Sequence, residues 1–186
     1  MALNDDATLV IGSGNYLIAD VGTELPADLT APGVDWDNVG HTSLEEIFSQ
    51  ASEGGEATVL GTLQKKSLRT TFSTRTESFT FTLQQFDTQA LKLYYGGNSI
   101  TTSDGLIAPH GSPVPTEKAF LAVFIDGDNV FAFYAPRAEI YRAEDLAIED
   151  TESLAGLPLS VTPLNYDTND WTYAVTPLGE ESSSSA

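Results

Sequence analysis

Alternation of apolar and polar positions is the dominant signal along this chain. In SFTFTLQQF, residues 78–86, Phe79, Phe81 and Leu83 alternate with Ser78, Thr80, Thr82 and Gln84. That period of two marks a strand with one buried and one wet face, and the wet face is polar yet uncharged. Just upstream, Phe72 falls out of parity and RTTFSTRTE is polar. A bulge or bend is therefore expected at residues 73–76, with a strand end projecting from the body. A second unit, AFLAVFIDGDNVFAFYA, joins two apolar runs through Asp126-Gly127-Asp128-Asn129, and Asp-Gly supplies the positive φ angles that tight hairpins need. Both faces of this hairpin are apolar, which places it centrally, with Pro136 marking its end or an edge. A third hairpin is expected in LPLSVTPLNYDTNDWTYAVTP, where Trp171, Tyr173 and Val175 alternate after a turn and Pro163 is tolerated on an edge strand.

Helical signals are few. SLEEIFSQA offers Ser43 as N-cap with Glu46 three residues on, a capping box. DTQALKLYY is the stronger candidate, capped by Asp87, stopped by Gly96-Gly97, and carrying Ala90, Leu91 and Tyr94 on one face. Residues 96–116 hold four glycines and three prolines and read as a long surface loop. VIGSGNYLI, residues 10–18, begins like a nucleotide-binding turn, but Leu17 stands where the third glycine of G-x-G-x-x-G belongs. Gly22, Pro26, Pro32 and Gly33 then leave no room for the helix that would receive a phosphate. The stretch reads as a strand interrupted by a flexible Gly-Ser-Gly turn.

Together these elements define a mainly β protein: two packed antiparallel sheets, as a sandwich or barrel, flanked by one short α-helix. At 186 residues, 41% of them hydrophobic, the chain suffices for one folded domain with a real core. That domain is expected over residues 1–179, with residues 1–35 as an N-terminal arm or strand region and residues 180–186 as a disordered Ser-rich tail. There is no cysteine, which excludes disulfides and thiolate metal sites and fits a reducing compartment. MALNDDATLV lacks the basic and apolar regions of a signal peptide, and the longest apolar run, AFLAVFI, is too short to span a bilayer. A soluble protein with no membrane partner is expected.

Charge changes the picture most. The formal net charge is −19, from 27 acidic and 8 basic residues, so most of the surface repels nucleic acid, whose binding needs clustered Lys and Arg. The charge is segregated: residues 57–76 carry no acidic residue, while Lys65, Lys66, Arg69 and Arg75 supply half of the basic ones. The counterpart is EDLAIEDTE, with Glu144, Asp145, Glu149, Asp150 and Glu152. Either both are solvated loops, or they are complementary patches on neighbouring copies.

Reactive chemistry finds little support. His41 and His110 have no ligand spacing. The Asp126 cluster resembles a calcium loop but has Phe131 and Arg137 where an EF-hand needs Gly and Glu. No nucleophile elbow, phosphate-binding lysine loop or deaminase signature occurs. Neither an enzyme nor a cofactor or metal site is expected.

Three motifs carry a family resemblance: WDNVGHTS from Trp36 to Ser43, EGGEATVLGTLQ from Glu53 to Gln64, and RTESFTFTL from Arg75, followed by the TQALKLYYG helix. In these the chain resembles the major tail, or tail tube, proteins of long non-contractile-tailed bacteriophages, especially those of actinobacteria. Such proteins are similar to the tube subunits of type VI secretion systems. The resemblance implies a tail tube fold, six-membered rings whose strands join into one barrel, helical stacking of those rings, and passage of the genome through the lumen without tight binding. It also implies a tape measure protein in the lumen, tail terminator and baseplate or distal tail proteins at the ends, and a place in the virion tail after assembly in the host cytoplasm. Extended structure then becomes an alternative for SLEEIFSQA.

On that resemblance, Lys65, Lys66, Arg69 and Arg75 are expected to reach an adjacent ring and meet an acidic surface, with Glu144, Asp145, Glu149, Asp150 and Glu152 as one candidate. Ser78, Thr80, Thr82 and Gln84 are expected to face the lumen, with Glu53, Glu56 and Glu77 nearby. The apolar stretch around Gly12 and Gly14 is expected to pack on a neighbouring subunit. The alternative is a decoration or host-binding β-sandwich displayed on a virion, for which residues 96–116 would be the binding surface.

Overall fold

The structure, a computed structural model, describes residues 3–4, 7–148, 151–167 and 169–178. In chain order come β1 (Ser13–Ala19), β2 (Asp37–Asn38), β3 (Ser49–Gly54), β4 (Ala57–Leu60), β5 (Arg69–Phe72), β6 (Arg75–Leu83) and α1 (Thr88–Tyr95). They are followed by β7 (Ile100–Thr101), β8 (Ile107–Ala108), β9 (Thr116–Asp126), β10 (Asn129–Arg142), β11 (Leu157–Pro163) and β12 (Ala174–Val175). Eight strands form one sheet in the order β2-β1-β9-β10-β11-β6-β3, with β12 also pairing β10, and every pairing is antiparallel. The expected tail at residues 180–186 lies outside the described residues.

The sheet curls onto itself because its alternating side chains leave one long apolar face. Tyr16 on β1 and Phe81 on β6 are separated by β9, β10 and β11 in the sheet, yet their rings stack with centroids 4.4 Å apart. Phe79 meets Phe120 and Phe133 in the same interior, and Phe48 inserts between Phe79, Phe124 and Phe133. Aromatic pairs at these separations add to the gain from apolar burial. The Tyr16 hydroxyl donates to the Ile47 carbonyl, and burial pushes its pKa well above the ordinary tyrosine range.

The WDNVGHTS segment closes the curl. Asp37 and Asn38 pair with β1, Val39 N donates to Tyr16 O, and the chain then crosses to β6, where Thr42 bridges Leu83 and Ser43 N donates to Thr82 O. Its neighbour SLEEIFSQA forms no helix: residues 44–48 are irregular and β3 begins at Ser49. The capping box loses because Ile47 and Phe48 must reach the core while residues 49–54 pair with β6.

β9 and β10 form the expected hairpin, turning at Gly127 with φ of 59°. β9 is buried on both sides: Phe120, Ala122 and Phe124 face the main core, while Leu121 and Val123 face a second cluster with Leu17, Trp36 and Ala132. Pro136 neither ends β10 nor marks an edge; it sits in a bulge between Ala135 and Ala138. That extra residue resets the parity, so Phe133 and Ala135 before it and Ala138 and Ile140 after it all face the same core. The proline removes no ladder bond there, and its carbonyl accepts Gly22 N at 2.8 Å.

The third hairpin is not formed. β11 lies between β10 and β6, with Pro163 at its end, and β12 pairs β10 at Phe133 and Tyr134. The helix matches expectation at its ends: the Asp87 carboxylate accepts Ala90 N at 2.8 Å, a bond that holds its pKa below the ordinary value, and Gly96 caps the C-terminus. Leu93, rather than Leu91, joins Ala90 and Tyr94 as the buried face. The region of residues 96–116 contains the β7-β8 hairpin and gives way to β9 at Thr116. In β1 Gly14 serves close approach: a Cβ there would lie 2.9 Å from Val123 O. Tyr16, Leu17, Ile18 and Ala19 are buried in their own subunit, so only Val10 and Ile11 are left exposed from that apolar stretch.

Phe79 is fully buried at the centre of this interior. Phe79→Ala is expected to destabilise the subunit by about 3–5 kcal/mol, read from urea unfolding monitored by tyrosine and tryptophan fluorescence.

Candidate functional site

The β3-β6 ladder runs out of the body into an arm. It pairs Ser49 with Thr80 through Gly54 with Arg75, breaks, and resumes as β4-β5 from Ala57 opposite Phe72 to Leu60 opposite Arg69. The break lies where the polar run predicted a bend. Gly54 and Gly55 have φ of 85° and 71°, and a Cβ on Gly54 would sit 2.1 Å from Thr74 O, so only glycine fits there. Reciprocal bonds between Glu56 and Ser73 hold the bend. The tip turns at residues 61–68, where Thr62 N donates to Lys65 O at 2.8 Å and Lys65 N returns to Thr62 O at 3.2 Å.

Nothing among the described residues covers this arm. Cross-strand register puts Ala57, Val59, Thr70 and Phe72 on one side, and Thr58, Leu60, Arg69 and Thr71 on the other. Phe72 is 71% exposed and Leu63, at the tip, 91%. A two-stranded ribbon with no core of its own is marginal in water, and a run of exposed apolar side chains marks an interaction surface.

Charge follows the same geometry. Lys65, Lys66, Arg69 and Arg75 are exposed on the arm and its root, and make no ion pair among the described residues. Lys118, Arg137 and Arg142 are paired, to Asp20, Glu117 and Asp145 at 2.7, 3.0 and 3.8 Å. The acidic run lies in the connection from β10 to β11, and Leu157 at the start of β11 pairs with Leu83. Glu144, Asp145 and Glu152 are exposed there, whereas Glu149 and Asp150 lie outside the described residues. The arm leaves from Arg75, at the other end of β6. Within one chain the two charged segments are thus held apart, by roughly 25 Å along a nine-residue strand at about 3.3 Å per residue.

The polar side of β6 extends further than its own sequence indicated. Ser78, Thr80 and Thr82 are half-buried opposite Phe79, Phe81 and Leu83. Register adds Ser49, Ala51 and Glu53 from β3, Pro158, Ser160 and Thr162 from β11, and Glu139 and Tyr141 from β10. Tyr141 and Thr162 share a hydrogen bond at 3.1 Å. Four strands therefore present a hydroxyl-rich face with carboxylates only at its margins. Gln84 continues the β6 row just beyond the strand, its N donating to His41 O. Glu77 is not on this face: it shares the side of Phe79, where its carboxylate accepts Ser52 Oγ at 2.9 Å and Gln50 Nε2 at 3.2 Å. Glu56 sits at the bend of the arm. The contribution of β11 was readable as alternation in LPLSVTP, but reading that run as an edge hairpin hid its partner.

Among the described residues no three His, Cys, Asp or Glu side chains converge to hold a metal, and no described helix is long and apolar enough to cross a membrane. His41 and His110 occupy separate loops, and His110 Nδ1 lies 3.1 Å from Ser112 N. What the fold offers is surface: an uncovered arm, segregated charge and a hydroxyl-lined sheet face. These features point to a protein that works through its surfaces.

Comparison with known proteins identifies which one. The family described as phage tail tube protein matches residues 1–180. The chain is 37% identical over 182 residues to the major tail protein Gp23 of Mycobacterium phage D29, covering 90% of this chain and 89% of that protein, and matches Gp23 of Mycobacterium phage L5 to the same extent. The chain belongs to the phage tail tube protein family: it is a structural component of the virion tail, in a family of non-enzymes. The resemblance carried by the three motifs is thereby confirmed, and the decoration reading is set aside.

Because Phe72 touches little in its own subunit, Phe72→Ser is expected to change unfolding free energy by less than about 0.5 kcal/mol. Urea titration of the dilute subunit measures it.

Proposed function

We propose that six copies of this chain close a ring, that rings stack with a helical offset, and that the bore conducts the genome during ejection. The observation that carries this reading is the uncovered basic arm leaving one end of a strand ladder whose other end adjoins acidic residues. A surface complementary to a different surface of the same molecule makes heterologous contacts, which propagate as rings and open tubes. The edge of β3 away from β6, which pairs with no strand among the described residues, supports strand joining between neighbours, since an open edge is a template for pairing.

The arm, with Lys65, Lys66, Arg69 and Arg75, reaches the next ring. The hydroxyl face with Ser78, Thr80, Thr82 and Gln84 lines the lumen, and Glu53 borders it. A wall of hydroxyls with marginal carboxylates gives phosphates nothing to release counterions against, so DNA slides without sticking. The tape measure protein occupies this lumen before ejection, terminator and distal tail proteins cap the two ends, and assembly takes place in the host cytoplasm.

Negative-stain electron microscopy of the concentrated protein is expected to show hollow tubes, and small closed oligomers that never stack would refute the reading. Lys65→Glu with Lys66→Glu is expected to raise the concentration needed for tubes at least tenfold, and unchanged assembly would remove the arm from the contact. Glu53→Lys with Ser78→Lys is expected to give tubes that retain short DNA protected from nuclease, with retention falling steeply as salt rises. Retained DNA that nuclease digests would put this face on the outside.

A further inference from the structure

A groove of about 610 Å³ opens where the irregular segment 44–48 passes the ends of β6 and β11. Its wall includes Leu44, Ile47 and Phe48, and its lining also carries Glu45, Glu46 and Glu144. Leu44 is 88% exposed. The three glutamates are exposed and make no ion pair among the described residues, in contrast to Asp145, which Arg142 takes. The groove thus sets a few apolar side chains beside negative charge that no ion pair among the described residues neutralises.

We propose that this groove receives the arm tip of a second copy, with Leu63 against Leu44 and Ile47 and with Lys65 and Lys66 between Glu45, Glu46 and Glu144. This rests on the reading of the arm as the contact to the next ring, and names its receptor. Chemistry matches on both sides. The tip offers the arm's most exposed large apolar residue beside two unpaired lysines, and the groove offers the complementary apolar wall and acids. The volume falls within the range of about 300–1,000 Å³ typical of binding clefts. The tip is preformed by the mutual Thr62 and Lys65 bonds, so little ordering is needed on docking.

Topology fixes the partner as another copy. The arm departs beyond Gly54 and Arg75, while the groove lies at Thr80 to Thr82, toward the other end of the same strand. Tip into groove is therefore a head-to-tail contact that repeats along one direction without closing. The receptor is then the 44–48 segment with Glu144, and the later acids of the 144–152 run are bystanders.

The absence of cysteine makes the test clean. Mixing the Leu44→Cys and Leu63→Cys single variants is expected, on mild oxidation of the concentrated protein, to give mainly the mixed 44–63 dimer, identified by peptide mass, over the 44–44 and 63–63 dimers. A disulfide needs Cα atoms within about 7 Å, so mixed dimers no more abundant than the two homotypic ones overturn the docking. An independent arm uses charge: Glu45→Lys with Glu46→Lys should raise the assembly concentration at least tenfold, with unfolding unchanged, and adding Lys65→Glu with Lys66→Glu should restore assembly. If reversing the lysines blocks tubes but reversing the glutamates does not, the groove is refuted and the arm contact stands. If reversing the lysines has no effect, both readings fall.

Discussion

The stacking of Tyr16 on Phe81 is the contact on which the rest of the structure depends. It joins the two halves of a sheet that would otherwise splay, and it works only because β9, β10 and β11 turn the sheet by their twist and by the bulge at Pro136 and Arg137. The bulge is the economical part of this arrangement. Without an added residue, Ala138 and Ile140 would point away from the core that Phe133 and Ala135 enter. With β10 held to one interior along its whole length, β11 and β6 are carried round until Phe79, Phe81 and Leu83 meet β1 and β9. Once closed by the 36–43 segment, the body fixes the direction of β6, and with it where the arm leaves and which side chains face away from the core.

The arm shows how assembly can set local sequence against local stability. In a self-sufficient domain, Val59, Leu63, Leu68 and Phe72 would be polar, since their exposure brings no folding free energy and invites aggregation. Their presence beside lysines and arginines that make no ion pair among the described residues is what the proposed assembly accounts for, by placing the stabilising partner in another copy. Charge acts here as a restraint as well as an attraction: like-charged tips repel one another, so an apolar ribbon is kept from pairing with its own kind while it can still approach an acidic surface. The net charge of −19 serves the same end, keeping dilute subunits apart until the few basic residues are offered the right surface.

Much of the body was legible in the sequence because alternation is a local signal. SFTFTLQQF, the Asp126 to Asn129 hairpin and the Asp87 cap each depend on residues near one another, and each formed. What failed depends on partners far along the chain. Residues 43–51 satisfy a capping box, but Phe48 is claimed by a core assembled from β1, β6, β9 and β10. Residues 157–175 have hairpin-like alternation, but β10 is long enough to take β11 and β12 at successive positions on one side. Glu77 is a simpler case: it stands beside the polar row in the sequence, while strand parity sends neighbours to opposite faces.

The segregation of charge, visible in composition, gains meaning only from strand direction. A basic segment and an acidic region could in principle neutralise each other inside one subunit, and the chain would then have nothing left to offer a second copy. β6 prevents this. Its nine residues separate the arm root from the acidic connection by a length that a strand paired to β3 over residues 75–80 and to β11 over residues 79–83 cannot shorten. Complementary surfaces kept apart on one body can be satisfied only by neighbours, and because the two surfaces differ, each neighbour leaves one of its own open. A closed dimer uses up its contacts, whereas this arrangement always presents another. On the proposed assembly, the direction of this one strand turns a folded subunit into a repeating one.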